Sequence, residues 1–421
     1  MTDQEKKKDV PEIRFAGFTD PWEQRKLGEL GSFHRGKRFT AGDFVDEGGI
    51  PCIHYGEIYT HYGATTNETA SRVRTDMAGD LGYAEPGDLV IATTSENVED
   101  VCKAVAWLGK CQVAIHDDSY AFKHGCDPAF LSHFFSSEAF RAQKASVAYG
   151  VKVMRVNDRS LSGVDILVPS LPEQRRIGAL FSSLDSLITL HQRECDQLKT
   201  FKKSMLEKMF PREGESIPEI RFAGFTDPWE QRKFLLKDVS AFITKGATPT
   251  TYGFDWVDSG IPFFRNDSIK DNMFVYGEYS FISERAHGAL IRSEIHAGDI
   301  LVAITGDIGK VGIVPGEIKK ANINQHIARV RIGCSYDPYF VYMFLCTDAI
   351  QESFRAIKTG LSMPQLSLEQ IRSIELPKVS LAEQRQIGAL FSSLDSLITL
   401  HQRELELLKN IKKSMLEKMF V

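Results

Sequence analysis

The sequence lacks several features that would assign it to a secreted or membrane class. No run approaches the ~18 uninterrupted apolar residues that a membrane-spanning helix needs. The opening segment MTDQEKKKDVPEIRF is charged and has no apolar stretch of the kind found in secretion signals. The seven cysteines form no C-x-x-C pair, which fits free thiols in a reducing compartment. We therefore expect a cytoplasmic protein.

The motifs of common catalytic centres are also missing. A nucleotide-driven motor needs G-x-x-x-x-G-K-[ST], and the nearest approach, Gly306 to Lys310, is too short and is interpreted as a hairpin tip. The [DN]-P-P-[YF] tetrapeptide of adenine methyltransferases, Gly-rich dinucleotide loops and nucleophile motifs are absent. Three histidines and one cysteine between 116 and 133 lack compact zinc spacing and are interpreted as structural. We expect a binding protein with no catalytic residue, metal or cofactor of its own.

An excess of positive charge is missing as well. The formal net charge is -5. Residues 28–171 carry 13 basic and 19 acidic side chains, and residues 234–380 carry 15 and 16. Neither segment has the composition of a tight nonspecific DNA binder. If DNA is the ligand, partner proteins supply much of the phosphate neutralisation.

The main positive feature is an internal repeat with a period of about 210 residues. PEIRFAGFTDPWEQRK occurs at 11–26 and 218–233, IGALFSSLDSLITLHQRE at 177–194 and 387–404, and KKSMLEKMF at 202–210 and 412–420. The intervening segments have diverged, but Arg35-Gly36 still aligns with Lys245-Gly246. Such a pattern is typical of two modules that do one job on two targets. Either recombination among modules or a recent duplication explains the near-identical blocks.

Segments 171–210 and 381–420 have the apolar spacing of long packed helices. Both begin with an S-x-x-E capping box, and forty residues give a rod of roughly 60 Å. A lone helix of this length would be unstable, so we expect the two to pack antiparallel. His191, Glu194 and their copies either set the register or are solvated, without metal chemistry. The predicted seam and partner-binding residues are Ile177, Leu180, Leu184, Leu187, Leu198, Ile387, Leu390, Leu394, Leu397 and Leu408.

The remaining segments predict an α+β fold with twisted, largely antiparallel sheets. Helical stretches come late in each, at 127–145 and 337–357. Asp20-Pro21-Trp22-Glu23 and its copy at 227–230 predict helix starts, with the tryptophans as packing anchors rather than base-stacking residues. The predicted domains are an arm (1–27), a globular domain (28–170), a helix (171–211), a linker and second arm (212–233), a second globular domain (234–380) and a final helix (381–421).

Three blocks of the second half resemble type I restriction-modification specificity (S) subunits. They are GDILVAITGDIGKVGI (298–313), MPQLSLEQIRSIELP (363–377) and LAEQRQIGALFSSLDSLI (381–398). The first half repeats them as GDLVIATTSEN, VKVMRVNDRSLSGVDILVP and LPEQRRIGALFSSLDSLI. The resemblance covers nearly the whole chain. The first half departs at 153–156 and has SENVEDVCK in place of a short G-D-I-G-K tip, so the resemblance carries over to the role of this domain and not to its exact contacts.

The resemblance implies a role and a set of partners. Each globular domain would be a target recognition domain reading half of a split double-stranded DNA site, and the paired helices would set the gap between the halves. Two modification (methyltransferase) subunits would dock around the helices and methylate adenine. Restriction subunits would add ATP-driven translocation and cleavage. S-adenosylmethionine, ATP and Mg²⁺ are then expected on these partner subunits.

Candidate DNA contacts are polar residues predicted to lie on loops. Arg, Lys, Asn and Gln read base edges best, whereas hydroxyls and backbone amides hold phosphates. The candidates are Arg35, Lys37, Arg38, His54, Tyr55, Lys152 and Arg155 in the first domain and Lys245, Arg265, Asn266, Lys310, Lys358 and Gln365 in the second.

Two other classes of protein compete with this interpretation. A fused endonuclease-methyltransferase would need a catalytic segment for which the chain has no room. A scaffold that joins two ligand-binding domains through coiled helices would need no DNA at all. Co-purification with a methyltransferase separates the specificity subunit from the scaffold.

Overall fold

The structure, a computed structural model, describes residues 10–212, 214–276, 279–358 and 365–420, without the side chains of 231, 232 and 358. The described chain forms two compact units. The first combines the residues up to Gln192 with those from Arg403 onward, and the second is Arg193–Gln402. Each unit therefore holds one globular segment and parts of both long helices.

The first unit consists of short strands, with most of its helices in the later part of the segment. Its strands are β1 (Glu23–Lys26), β2 (Gly31–Arg35), β3 (Ile50–Ile53), β4 (Thr65–Thr66), β5 (Ser71–Val73), β6 (Gly82–Ala84), β7 (Leu89–Ala92), β8 (Thr94–Ser95), β9 (Ala104–Trp107), β10 (Val113–Ile115), β11 (Ser119–His124), β12 (Met154–Arg155) and β13 (Asp165–Val168). Its helices are α1 (Leu27–Leu30), α2 (Tyr55–Thr60), α3 (Pro128–Phe134), α4 (Glu138–Val147), α5 (Asp158–Ser162) and the long α6 (Leu171–Met209), which continues into the second unit.

Two main sheets form the globular part of the first unit. The strand orders are β5-β3-β10-β6 and β2-β11-β7-β9-β4. Among the described strands of this unit, β3–β10 and β4–β9 pair parallel and the other pairs are antiparallel, so the sheets are largely antiparallel, as the sequence predicts. Strand β7 is buried on both faces. Leu89 and Ile91 on one face pack in one hydrophobic cluster, and Val90 and Ala92 on the other face pack in a second.

The second unit repeats this plan. Its strands are β14 (Glu230–Leu235), β15 (Ser240–Lys245), β16 (Ile261–Phe264), β17 (Ile269–Lys270), β18 (Met273–Phe274), β19 (Ser280–Ile282), β20 (Glu294–Ile295), β21 (Ile300–Ala303), β22 (Val311–Ile313), β23 (Ala321–Ile323), β24 (Ile327–Ile332) and β25 (Glu375–Lys378). Its helices are α7 (Leu236–Val239), α8 (Glu284–Ala289), α9 (Pro338–Leu345), α10 (Asp348–Lys358), α11 (Leu368–Arg372) and the long α12 (Leu381–Met419). The sheets β19-β16-β23-β20 and β15-β24-β21-β22 match those of the first unit strand for strand, except that β4 has no described counterpart.

The long helices confirm the sequence prediction, and their segments run antiparallel within each unit. In the first unit Phe181, near the start of α6, packs 5.8 Å from the ring of Phe420, just beyond the end of α12. In the second unit the Lys202 ammonium, late in α6, lies 2.6 Å from the Asp395 carboxylate in the first half of α12. The polar pairs recur within each unit, because His191 lies 3.4 Å from Glu404 and His401 lies 3.4 Å from Glu194.

The predicted seam residues divide into three groups by burial. Ile177, Leu184, Ile387 and Leu394 are buried, and Leu180, Leu198, Leu390 and Leu408 are half-buried. Leu187 and Leu397 are 43% and 44% exposed, so they lie outside the seam between the helices, and their predicted role in partner binding stays a prediction. The apolar stripe follows the 3.6-residue turn of the helix, so Phe181 and Ile398 are buried in their place.

The Asp-Pro-Trp-Glu segments do not begin helices, which corrects that prediction. Glu23–Lys26 is strand β1 and pairs antiparallel with β13, more than a hundred residues later in the chain. In the copy, β14 pairs in the same way with β25. Pairing with a distant strand satisfies the backbone of these segments and overrides the local helix-start signal. Trp22 and Trp229 are each 4% exposed and pack in the core, as predicted.

The glutamates of the expected capping boxes have another role. The Glu173 carboxylate is 1% exposed and accepts hydrogen bonds from Arg14 Nε (2.7 Å) and Nη2 (2.9 Å). Glu383 accepts the same pair of bonds from Arg221 at 2.6 and 2.8 Å. In each unit the repeated arm is thus bound to the first turn of a long helix through a bidentate, buried ion pair.

Candidate nucleic-acid interface

A cleft of about 590 Å³ in the first unit brings together several of the predicted contact residues. We call it the first cleft, and its lining is Arg35, Arg38, Phe39, Thr40, His54, Tyr55, Thr93, Thr94, His116, Asp117, Asp118, Tyr120, Tyr149, Arg155, Val156 and Asn157. These residues come from the ends of several strands and the loops that follow them. Residues far apart in the chain therefore meet at one place because of the strand order.

Backbone hydrogen bonds hold the walls of the first cleft together. Lys37 N donates to Ile115 O (3.1 Å), His116 N to Ile53 O (3.4 Å) and Val156 N to Thr93 O (3.0 Å). Gly36 makes the closest approach, because a Cβ at this position would lie 2.1 Å from His116 O. Only glycine allows the strand carrying Arg35 to run this close to the turn at 116–118.

The floor of the first cleft is a cluster of rings and carboxylates. The rings of His54 and His116 lie 4.6 Å apart, and that of Tyr55 lies 4.6 and 5.2 Å from them. Thr94 Oγ1 donates to Asp118 Oδ1 at 3.0 Å, and Arg35 Nε donates to Asp117 O at 2.8 Å. The cleft therefore presents flat rings, carboxylate acceptors and guanidinium donors side by side.

Burial determines the protonation of one of these rings. The pKa of His54 is lowered by burial and, to a smaller extent, by the neighbouring His116. Its Nδ1 accepts a hydrogen bond from Gly56 N at 3.2 Å, which caps α2. His54 is accordingly a neutral ring at neutral pH.

The same backbone bonds recur in the second unit with different side chains. Ala247 N donates to Ile323 O (3.1 Å), Asn324 N to Phe264 O (3.1 Å) and Leu366 N to Ile304 O (2.9 Å). A Cβ at Gly246 would lie 2.1 Å from Asn324 O, as at Gly36. This equivalence defines the matching surface of the second unit, which consists of Lys245, Arg265, Asn266, Thr305, Asn324, Gln325, His326 and Gln365.

Side chains of the matching surface are held mostly by neutral partners. Arg265 donates to Ser280 Oγ (2.9 Å), and its guanidinium lies 5.2 Å from the ring centre of Trp256. Asn266 Nδ2 donates to Thr305 O at 2.9 Å, while its Oδ1 is buried and has no hydrogen-bond partner among the described residues. The Thr305 hydroxyl lies 2.6 Å from His326 Nδ1. Amide side chains dominate this surface, whereas rings, carboxylates and arginines line the first cleft.

Most of the predicted contact residues lie at these two places. Arg35, Arg38, His54, Tyr55 and Arg155 line the first cleft, and Lys245, Arg265, Asn266 and Gln365 occupy the equivalent positions of the second unit. Lys37 and Lys152 are exposed outside the cleft lining. Lys310 lies near the tip of the β21–β22 hairpin, 2.7 Å from Asp307, and the side chain of Lys358 lies outside the described part.

Sequence reasoning missed the turn between β10 and β11. This turn carries His116, Asp117 and Asp118 in the first unit. The equivalent turn of the second unit, between β23 and β24, carries Asn324, Gln325 and His326. The repeat contains a signal for this turn. An isoleucine precedes it in both copies (Ile115 and Ile323), but the three polar residues that follow the isoleucine differ completely between the copies. Ligand atoms of the first triplet lie within 4.8 Å of one another. They are engaged in the turn, however, since His116 Nδ1 accepts from Asp118 N at 3.1 Å and Asp118 accepts from Thr94.

Each unit also exposes apolar side chains on a long helix. Leu187 and Leu190 of α6 are 43% and 50% exposed, and the repeat equivalents Leu397 and Leu400 of α12 are 44% and 49% exposed. Leucines four or three residues apart on a helix form a continuous patch. Adjacent exposed leucines of this kind, which we call the leucine patch of each unit, are candidates for contact with another protein.

Within the described residues, no helix has the length and apolar character that crossing a bilayer requires.

Comparisons with known proteins agree with the resemblance noted in the sequence. The sequence model of the family described as type I restriction modification DNA specificity domain matches residues 19–200 and again 227–410. The EcoBI specificity subunit of Escherichia coli is 23% identical over 428 residues, covering 95% of this chain and 86% of that protein. The MjaVIII specificity subunit of Methanocaldococcus jannaschii is 22% identical over 291 residues, covering 67% of each.

The fold also matches a solved structure. The S subunit of a type I restriction-modification system from M. genitalium superimposes with a TM-score of 0.64 at 14% identity, covering 98% of this chain and 99% of that one. The scaffold alternative finds no support in these comparisons. The chain belongs to the type I restriction-modification DNA specificity family, and it contains two copies of the family's domain.

Proposed function

We propose that this chain is the DNA specificity subunit of a type I restriction-modification complex and that each unit reads one half of a bipartite DNA site. The observation that carries the proposal is the pair of equivalent surfaces: the same backbone hydrogen bonds hold different side chains in the two units. A conserved scaffold with exchanged polar residues is what two different half-sites require. The recognition domains would be residues 28–170 and 234–380.

The chemistry of the two surfaces supports different target bases. Arg265, Asn266 and Gln325 offer the bidentate groups that read guanine and adenine in the major groove. Asp117 and Asp118 offer acceptors, which suit the amino group of cytosine. The exposed arginines Arg35 and Arg155 supply donors for guanine or for phosphate. The two half-sites are therefore expected to differ in sequence.

The partner subunits would supply the chemistry of the complex. The leucine patch of each unit supports docking of one modification subunit, and the two patches account for two such subunits. These subunits would carry S-adenosylmethionine and methylate adenine, and restriction subunits with ATP and Mg²⁺ would translocate and cleave DNA. The seven free cysteines suit action in the reducing cytoplasm.

Methylation mapping tests the proposal. The chain is expressed with its modification partner in a host without adenine methylation, and methylated positions are mapped across the genome. We expect one bipartite motif with a fixed gap. Asp117→Ala should relax one half of the motif and Gln325→Ala the other, while Lys320→Ala, which removes an exposed ion pair with Glu284, should change neither. A continuous motif, or loss of both halves from either variant, would contradict the assignment.

A further inference from the structure

We propose that the first cleft takes up one nucleobase that has left the DNA helix, and that a neighbouring loop carrying Val151 fills the gap left in the base stack. The inference rests on the proposed DNA-binding function. It adds a specific ligand, an unstacked base, and a specific region, the half-site read by the first unit.

The size and lining of the first cleft fit a base better than a base edge. Groove readout needs side chains on a convex surface, whereas this cavity of about 590 Å³ falls within the ~300–1,000 Å³ range of small-molecule sites. Three rings, His54, Tyr55 and His116, lie within 4.6–5.2 Å of one another in its floor. Rings of this kind stack with any base, because every base has a π face.

The first cleft also contains a hydrogen-bond acceptor that lacks a donor. Asp117 Oδ1 is buried and has no hydrogen-bond partner among the described residues. The nearby His116 Nδ1, 3.1 Å away, accepts from Asp118 N and therefore has no proton to give. A buried acceptor without a donor is costly, and the amino or ring N–H group of a base would satisfy it. Arg35 and Arg155 in the same lining can hold the phosphate that moves with the base.

A stiff loop with an apolar tip borders the first cleft. Tyr149 N donates to Arg155 O (2.9 Å) and Arg155 N to Tyr149 O (2.8 Å), and both residues line the cavity. Gly150 has φ +123°, and a Cβ there would lie 2.1 Å from Val153 O, so the loop is closed tightly. Val151, at its tip, is 100% exposed. Apolar side chains presented in this way are the wedges that unstack base steps in proteins that distort DNA.

The described part of the second unit has no counterpart of the three-ring cluster, which restricts the inference to one half-site. Arg265, Asn266 and Asn324 stand where the first cleft has its three rings. Of the eight residues of the matching surface only His326 carries a ring, so this surface has no comparable ring cluster on which a base could stack. The second half-site thus serves as an internal control in the same molecule.

Binding to mismatched duplexes tests the proposal, using the complex of this chain with its modification partner. Once the target motif is known, each base pair is replaced in turn by a mismatch, and the dissociation constant of each duplex is measured without S-adenosylmethionine. A base read within the helix loses affinity when mispaired, whereas a base that must leave the helix gains it because unpairing no longer costs energy. We expect one non-methylated position of the first half-site to bind about tenfold tighter as a mismatch, and none in the second half-site.

Variants of the cleft and of the loop complete the test. Val151→Gly and Tyr55→Ala should each reduce that gain to about twofold or less, while Tyr55→Phe, which keeps the ring, should retain it. Leu108→Ala changes another exposed apolar residue, which lies outside the cleft lining, and should leave the gain in affinity unchanged. If a mismatch at every non-methylated position of the first half-site weakens binding, or if the gain survives Tyr55→Ala and Val151→Gly, the inference is overturned although specific binding persists. Absence of any sequence-specific binding would instead overturn the proposed function.

Discussion

His133→Met should stabilise the first unit and make the protein less sensitive to acid. His133 is fully buried in α3, and neither ring nitrogen has a hydrogen-bond partner among the described residues. Asp185 lies 3.8 Å from Nε2, but its carboxylate is already paired with Lys412. The repeat supplies the replacement, because the equivalent position of the second unit is Met343, which is also fully buried.

The magnitude follows from the proton balance. Burial, and then the charge of Lys412, lower the pKa of His133 to about 3, against 6.5 for an ordinary histidine. Below about pH 6.5 the unfolded chain binds a proton that the folded chain refuses, so stability is lost as the pH falls from about 6.5 to about 3. In the wild type, His133 lowers the free energy of unfolding by about 1.4 kcal/mol at about pH 5.5 and by almost nothing at about pH 7.5. Replacing His133 also removes two unpaired buried nitrogens, which should raise the free energy of unfolding by about 1–3 kcal/mol at both pH values.

Urea unfolding of both proteins, followed by circular dichroism at about pH 7.5 and about pH 5.5, measures these differences. The advantage of His133→Met should grow by about 1.4 kcal/mol between the two conditions. Both proteins keep the acid sensitivity of the buried His124, whose pKa burial lowers to about 4. The reverse change, Met343→His, should destabilise the second unit and add acid sensitivity. Equal pH dependence of the wild type and His133→Met would refute the reasoning.

Three further outcomes are expected. Arg14→Ala leaves the buried Glu173 carboxylate without its partner and should lower the free energy of unfolding by about 3 kcal/mol in urea titrations. Arg25→Ala removes an exposed ion pair with Glu29 and should have a much smaller effect, so equal effects of the two changes would contradict the buried arrangement. Arg265→Ala should relax the methylated motif in the second unit's half-site alone, and uniformly weaker methylation of all sites would make Arg265 a phosphate contact. Leu190→Glu should reduce co-purification of the modification partner without altering the circular dichroism spectrum, and full retention would exclude the leucine patch as a docking surface.

Local patterns explain where sequence prediction succeeded. The long helices repeat an apolar spacing over 39 residues each, and α6 and α12 begin at the residues that follow Ser170 and Ser380. The burial of Trp22 and Trp229 and the hairpin at Lys310 were predicted for similar reasons. The helix start at Asp20-Pro21-Trp22-Glu23 failed, since its strand partner lies at the other end of the domain.

The predicted contact residues show the same limit. Arg35 and Arg155 were chosen by residue type alone, and the structure brings them into one cleft. Lys37 and Lys152 were chosen for the same reason and lie outside its lining. Asp117 was not among the candidates, because an acidic turn does not resemble a DNA contact until the surrounding rings and arginines are known.

By itself the sequence determined the two-fold repeat, the two long helices, the α+β class of the globular segments and the family resemblance. These depend on residue spacing along the chain, which a helix or a repeated block converts directly into structure. Only the tertiary structure decided which polar residues face a common cleft, why Gly36 and Gly246 are glycine, and that Glu173 and Glu383 bind the repeated arms. These depend on pairing between strands distant in the sequence, and side chains brought together in this way share no local pattern.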